Sequence, residues 1–237
     1  MSGHTRALLA EAAGTFMFFF IGAGAIVTSV ATPTADVVPI ALAHGLALAV
    51  AVSAFGALSG GHFNPAVTFG LAVAGKHPWD RVPTYWIAQL AGGLVAGFAL
   101  RYAFDFSPSA ADKSHLGTPS LAPGVGQPEA IVIEAILTLF LLWAVFGTAI
   151  SPLAPRIAGF GIGLTVAADI LMGGPVTGAA MNPARWFGPA VAAGFYDNGL
   201  VYWIGPLLGA AIAGLSYRYV FAPAEDRAPA RPATPQA

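Results

Sequence analysis

Ser59-Gly60-Gly61-His62-Phe63-Asn64-Pro65-Ala66 decides how this chain folds, because it returns as Thr177-Gly178-Ala179-Ala180-Met181-Asn182-Pro183-Ala184. The hydroxyl, the first glycine and the Asn-Pro-Ala triplet recur at one offset, 118 residues from Asn64 to Asn182. Asn before Pro starts a helix. Its side-chain oxygen accepts a backbone N–H of the first turn, and Pro suits the first helical position. The first copy sits in a run without Lys, Arg, Asp or Glu from Val37 to Gly75. Two spans with a turn barely fit there, so the run reads as one span over 38–58, an irregular Gly-rich segment and a short helix from Pro65. Irregular backbone at membrane depth is tolerated only where protein packs around it or where it lines a wet cavity. A cavity is therefore implied.

Two more blocks recur in the same order. Tyr85-Trp86-Ile87 returns as Tyr202-Trp203-Ile204, and Glu11-x-x-x-Thr15 returns as Glu134-x-x-x-Thr138. The chain thus consists of two homologous halves, about 6–106 and 129–221, joined around the Pro-rich stretch from Ser107 to Pro128 within a single domain over 1–237. Spans are predicted at 7–30, 38–58, 83–104, 129–150, 157–172 and 199–221. Three spans separate the two Asn-Pro-Ala elements, so the second half is upside down relative to the first. The predicted fold class is an all-α membrane protein, with six transmembrane helices and two re-entrant half-helices in an inverted repeat.

Composition agrees. Of 237 residues, 57% are apolar and 9% charged, where a soluble domain carries about a quarter charged residues. A net charge of -1 offers no basic field for nucleic acid. Zero cysteines remove disulfides, thiolate metal sites and thiol nucleophiles, and no cofactor or metal is expected. The first apolar run carries Glu11 and is too long for a signal-peptide core, so it is expected to stay as a span. Arg6, Lys76, Arg81, Arg156, Arg218, Arg227 and Arg231 fall on the side of the N-terminus, against Arg101 and Lys113 on the other, which puts both termini in the cytoplasm. Residues 223–237, rich in Pro and Ala, read as a disordered cytoplasmic tail. The Ala/Gly/Pro-rich composition suggests a bacterial plasma membrane.

Inverted halves bring the two short helices in from opposite faces to meet N-terminus to N-terminus near mid-depth. Each end carries about half a positive charge, and Asn64 and Asn182 add fixed amide donors. Carbonyls of Gly60, Gly61, His62, Gly178 and Ala180 are expected to line the approaches. Cations and hydronium meet a positive ridge in a low-dielectric surround, whereas a neutral solute that donates and accepts hydrogen bonds passes. Arg185, three residues after Asn182 on the first turn, reaches the same path, and an arginine inside a membrane is costly and usually functional.

HFNPAVTFG (62–70) and MNPARWFGPA (181–190), with the span pattern, resemble the major intrinsic protein family of aquaporins and glycerol facilitators. The resemblance covers about Arg6 to Val220. It implies a pore in each protomer, a homotetramer in the lipid bilayer, and a passive channel rather than an enzyme. It maps the family's selectivity constriction onto His44, Ile170, Ala179 and Arg185, and implies that Glu11 and Glu134 brace the loops before the half-helices. His44, Ile170, Ala179 and Arg185 together, and the run from Asp169 to Ala184, are similar to plant tonoplast intrinsic proteins. Water is the implied permeant, with a small neutral solute such as ammonia, hydrogen peroxide or urea beside it. Glycerol facilitators resemble a pattern with Asp after the filter arginine; here Trp186 follows Arg185 and Tyr202-Trp203 form the aromatic pair of the water-selective pattern. The alternatives are a glycerol or small-solute facilitator, and a proton-coupled secondary transporter in which Glu11 and Glu134 relay protons. Asp169 either supports the filter or pairs with a neighbour, and His77 beside Lys76 reads as a solvated loop residue.

Overall fold

Each predicted span folds as a helix. The computed structural model describes residues 1–32, 36–155 and 157–224. Its principal helices are α1 (Gly3–Ala31), α2 (Val37–Ser59), α3 (Pro65–Val73), α4 (Val82–Ala103), α5 (Pro108–Lys113), α6 (Gln127–Val145), α7 (Ala158–Thr177), α8 (Pro183–Ala193) and α9 (Val201–Ser216). No strand occurs among the described residues. Arg156, Arg227, Arg231 and residues 225–237 of the expected tail lie outside them.

Among the described residues, five stretches are long and apolar enough to cross a membrane: Gly3–Ala31, Val37–Ser59, Gln127–Ile150, Gly159–Thr177 and Val201–Phe221. The third expected span, α4, has 22 residues, about 33 Å at 1.5 Å per residue. It is long enough but diluted by Thr84, Gln89, Gly92, Gly93 and Gly97. The expected fifth span, 157–172, ends too early. Gly173-Gly174-Pro175 reads as a break, yet Pro175 sits inside α7, which runs on until Gly178 adopts a left-handed φ of 82°. α2 stops in the same way at Gly60, φ 95°. The last turns of the fourth and sixth spans are π-helical, Phe146–Ile150 and Tyr217–Phe221, and the Phe146 and Tyr217 rings stack at 4.3 Å.

Packing repeats between halves. α1 lies on α2 and α4, as α6 lies on α7 and α9, and α2 meets α7 across the middle. α3 packs on α9 and α8 on α4, so each short helix is seated on the last long helix of the opposite half. Glycine makes the central contact possible: a Cβ on Gly45 would stand 2.5 Å from the Gly163 carbonyl oxygen, and one on Gly163 2.2 Å from that of Gly45. Outward, α2 presents Val38, Leu42, Leu46 and Val50 at four-residue spacing, an exposed apolar stripe.

Candidate functional site

The two Asn residues are the first fixed points. Asn64 Oδ1 accepts from the N–H of Ala66 at 2.8 Å, and Asn182 Oδ1 from that of Ala184 at 2.9 Å, each with Pro at the next position. The caps leave the amide groups free to donate, and they donate across the halves. Asn64 Nδ2 reaches the Met181 carbonyl at 2.9 Å, and Asn182 Nδ2 reaches that of Phe63 at 3.0 Å. The N-termini of α3 and α8 therefore meet.

Two buried carboxylates shape the preceding loops. Glu11 Oε1 accepts from Ser59 Oγ at 2.6 Å and the His62 N–H at 2.9 Å; its Oε2 accepts from the Phe63 N–H at 2.7 Å and Gln89 Nε2 at 2.8 Å. Glu134 Oε1 accepts from Thr177 Oγ1 at 2.7 Å and the Ala180 N–H at 2.9 Å, and its Oε2 from the Met181 N–H at 2.7 Å. Tyr85 and Tyr202 hydroxyls donate to the carbonyls of Ser59 and Thr177 at 2.8 and 2.9 Å. Phe63 and Met181 hold φ of 48° and 52°, which costs a non-glycine residue about 1–2 kcal/mol each. Each is held there from both sides: its N–H by the glutamate of its own half, its carbonyl by the Asn of the other.

A narrow cavity of about 30 Å³ runs through this assembly, more than the roughly 10–15 Å³ that one water needs. Asn64, Asn182, His44, Ile170, Ala179 and Arg185 all line it, and so do Gly60, Gly61, His62 and Ala180. The opposite wall is apolar, with Phe18, Leu48 and Val166. Gly178 lies elsewhere, on a wider cavity of about 370 Å³ with Lys113 and Ser120. Ile170 and Arg185 border both cavities and so mark their junction.

At that junction the His44 ring is fixed. A carbonyl can only accept, so His44 Nδ1 carries the proton it gives to the Ile40 oxygen at 2.8 Å. Nε2 is left buried and without a partner among the described residues. Arg185 is 2% exposed, and its Nε and Nη1 have no partner there either. One acceptor of His44 and two donors of Arg185 thus remain unspent among the described residues. Ala179, the third expected filter residue, has φ 44°, while its counterpart in the first loop, Gly61, has φ 67°.

Other expectations resolve individually. Asp169 is buried beside Ile170 but does not line the narrow cavity, and its Oδ2 has no hydrogen-bond partner among the described residues. Trp186 stacks on Tyr202 at 6.4 Å. His77 is not a solvated loop residue. It is half-buried, edge-on to His62 at 4.9 Å and Tyr85 at 4.6 Å. Burial above all, with the Arg81 guanidinium nearby, lowers its pKa to about 4. Gln89 was not foreseen; its signal is that it is the sole side-chain amide between Val82 and Leu100.

Comparison with known proteins gives the same reading. The family model for the major intrinsic proteins matches residues 1–217. Aquaporin TIP2-1 of Arabidopsis thaliana is 44% identical over 233 residues, 94% of this chain and 90% of the relative. Aquaporin TIP1-2 of Zea mays is 44% identical over 226 residues, 91% of this chain and 86% of the relative. In structure, the aquaglyceroporin from Plasmodium falciparum superposes with a TM-score of 0.83 at 26% identity, over 95% of this chain and 100% of that one. With its paired caps, mirrored carboxylates and six long helices, the chain is an integral membrane protein that belongs to the major intrinsic protein family, a family of channels and not of enzymes.

Proposed function

We propose that each protomer conducts water passively along the cavity between the Asn pair and the His44–Arg185 junction, excluding ions and protons. The observation that carries this is the reciprocal Asn bonding, with both amides donating at the meeting point of two helix N-termini. Positive helix ends repel cations there, and a water at that level accepts from the amides and donates outward to loop carbonyls. Glu11 and Glu134 serve as braces, since apart from the bond that Glu11 accepts from Gln89 every carboxylate hydrogen bond is spent on their own loops. Asn64-Pro65-Ala66 and Asn182-Pro183-Ala184 form the central constriction; His44, Ile170, Ala179 and Arg185 form the selectivity filter. The methyl of Ala179 leaves that aperture wide enough for one further small neutral solute, of the class of ammonia, hydrogen peroxide or urea.

Stopped-flow light scattering on proteoliposomes tests the reading. Osmotic shrinkage linear in the gradient, with a low thermal barrier, is expected; saturable flux that follows a pH gradient would indicate a proton-coupled transporter. A second reading, a glycerol facilitator, draws on the structural likeness to an aquaglyceroporin. Rapid re-swelling in glycerol with slow water flow would establish it. We infer a homotetramer with both termini cytoplasmic, to be checked by native mass spectrometry and by protease access to the N-terminus. The bacterial plasma membrane rests on composition alone, and the relatives named above, which are plant proteins, lend it no support.

A further inference from the structure

We propose that the wide cavity beyond the filter binds a small monovalent carboxylate, of formate or acetate size, which Lys113 and Arg185 hold over the entrance to the narrow cavity. The proposal rests on the channel reading above and adds to it a ligand that blocks water. The short helix α5 ends on Lys113 and brings it to the wall of the wide cavity. Arg185 reaches the same space from α8, since it borders both cavities.

Charge and unspent donors single this mouth out. The chain as a whole carries -1, yet with histidine neutral the two cations Lys113 and Arg185 against the one carboxylate of Asp36 give the wide cavity +1. Asp36 is committed to capping α2, where it accepts the Val38 N–H at 3.1 Å. Asp112, beside Lys113 in sequence, lines a separate cavity with Arg101. Neither Lys113 nor Arg185 has an ion-pair partner among the described residues, and the buried Nε and Nη1 of Arg185 have no acceptor there. A guanidinium taken out of water without a partner is costly, and a planar carboxylate suits it best, through charge-assisted bonds roughly twice as strong as neutral ones. A cavity of about 370 Å³ is on the order of one Debye length across, about 8 Å, so both cations act on the same ion.

The repeat does not account for this arrangement. Val67 stands where Arg185 does, at the same offset of 118 as the Asn pair. No described Lys, Asp or Glu lines the narrow cavity, whose wall also includes Leu71, Val145 and Ile150. The two halves thus share their Asn caps but not this pair of cations. Positive helix ends at the Asn pair repel cations and attract an anion, so width and not charge keeps an anion out of the narrow cavity. Held at the junction by Arg185 and Lys113, the carboxylate occupies the place through which water must pass. Mere repulsion of cations by the same two residues needs no bound ion and produces no block.

The test uses the full chain in proteoliposomes, with sodium formate equal on both sides and a sucrose gradient driving water flow, so that channels of either orientation meet the ion. At constant ionic strength, replacing sodium chloride by sodium formate is expected to lower water permeability saturably. Lys113→Gln is expected to keep the formate-free permeability and to raise the half-blocking concentration roughly 2- to 5-fold, the worth of an exposed ion pair. Lys113→Arg is expected to stay near the parent. Binding is read separately, as line broadening of carbon-13 formate by the detergent-solubilised protein, expected for the parent and weaker for Lys113→Gln. A conducting wild type that formate does not block overturns the proposal, and so does a block that Lys113→Gln leaves unchanged. A wild type with no water permeability above empty vesicles defeats the channel reading instead, and the formate line width then still decides whether the site exists.

Discussion

Asn64 donates to the carbonyl of Met181, and Met181 immediately precedes Asn182, which donates back to Phe63 just before Asn64. This closed loop of bonds joins residues 117 and 119 positions apart. Asn182→Ala removes a helix cap, about 1 kcal/mol, and strands the Phe63 carbonyl, about 1–3 kcal/mol. A clear drop in melting temperature in detergent is expected. Asn182→Asp keeps the capping oxygen but turns a second carboxylate oxygen toward the Phe63 carbonyl and adds negative charge where the helix ends meet, so it is expected to leak cations in a proteoliposome ion-flux assay.

Ala179→Gly separates backbone strain from aperture. At φ 44° alanine is in glycine's territory, and relieving it is expected to leave stability unchanged or raise it by up to about 1 kcal/mol. Loss of the methyl widens the filter, so urea re-swelling is expected to accelerate relative to water flow. A slower urea rate would remove Ala179 from the constriction.

Arg185→Val deletes the two unspent donors at the cavity junction. Weaker exclusion of cations or larger solutes is expected, read as ion conductance and glycerol re-swelling. His44→Phe fills the same level with an apolar ring and is expected to narrow conduction to water. Persistent ammonia flux in that variant would count against the filter assignment.

His77 predicts an acid-sensitive stability. Its folded pKa of about 4 lies below the usual 6.5, so the folded state stays unprotonated while the unfolded chain takes up a proton. This contribution is complete above pH 6.5 and is lost as pH falls toward 4. His77→Phe keeps a ring against His62 and Tyr85 but cannot titrate. Its melting temperature is expected to fall less steeply than that of the parent across this window.

Repetition made most of the site legible. Asn64, Asn182, Glu11 and Glu134 were found because each recurs in register, and local rules sufficed to read a cap from Asn-Pro. The end of α7 was missed because Gly173-Gly174-Pro175 is a breaker by local propensity, whereas tertiary packing carries the helix to Thr177. Gln89 escaped because nothing repeats it: its counterpart at the offset of 117 is Pro206, which has no donor. His77 was misplaced because its burial comes from Tyr85 and His62, contacts that no pattern within the turn encodes.

Since α3 rests on α9 and α8 on α4, neither half possesses a finished bed for its own short helix. During synthesis the first Asn-Pro-Ala segment must wait, unseated, until the final helix has left the ribosome. Conduction is in that sense the last property the nascent polypeptide acquires, and truncation anywhere before α9 deletes it even though α8 already has its bed on α4.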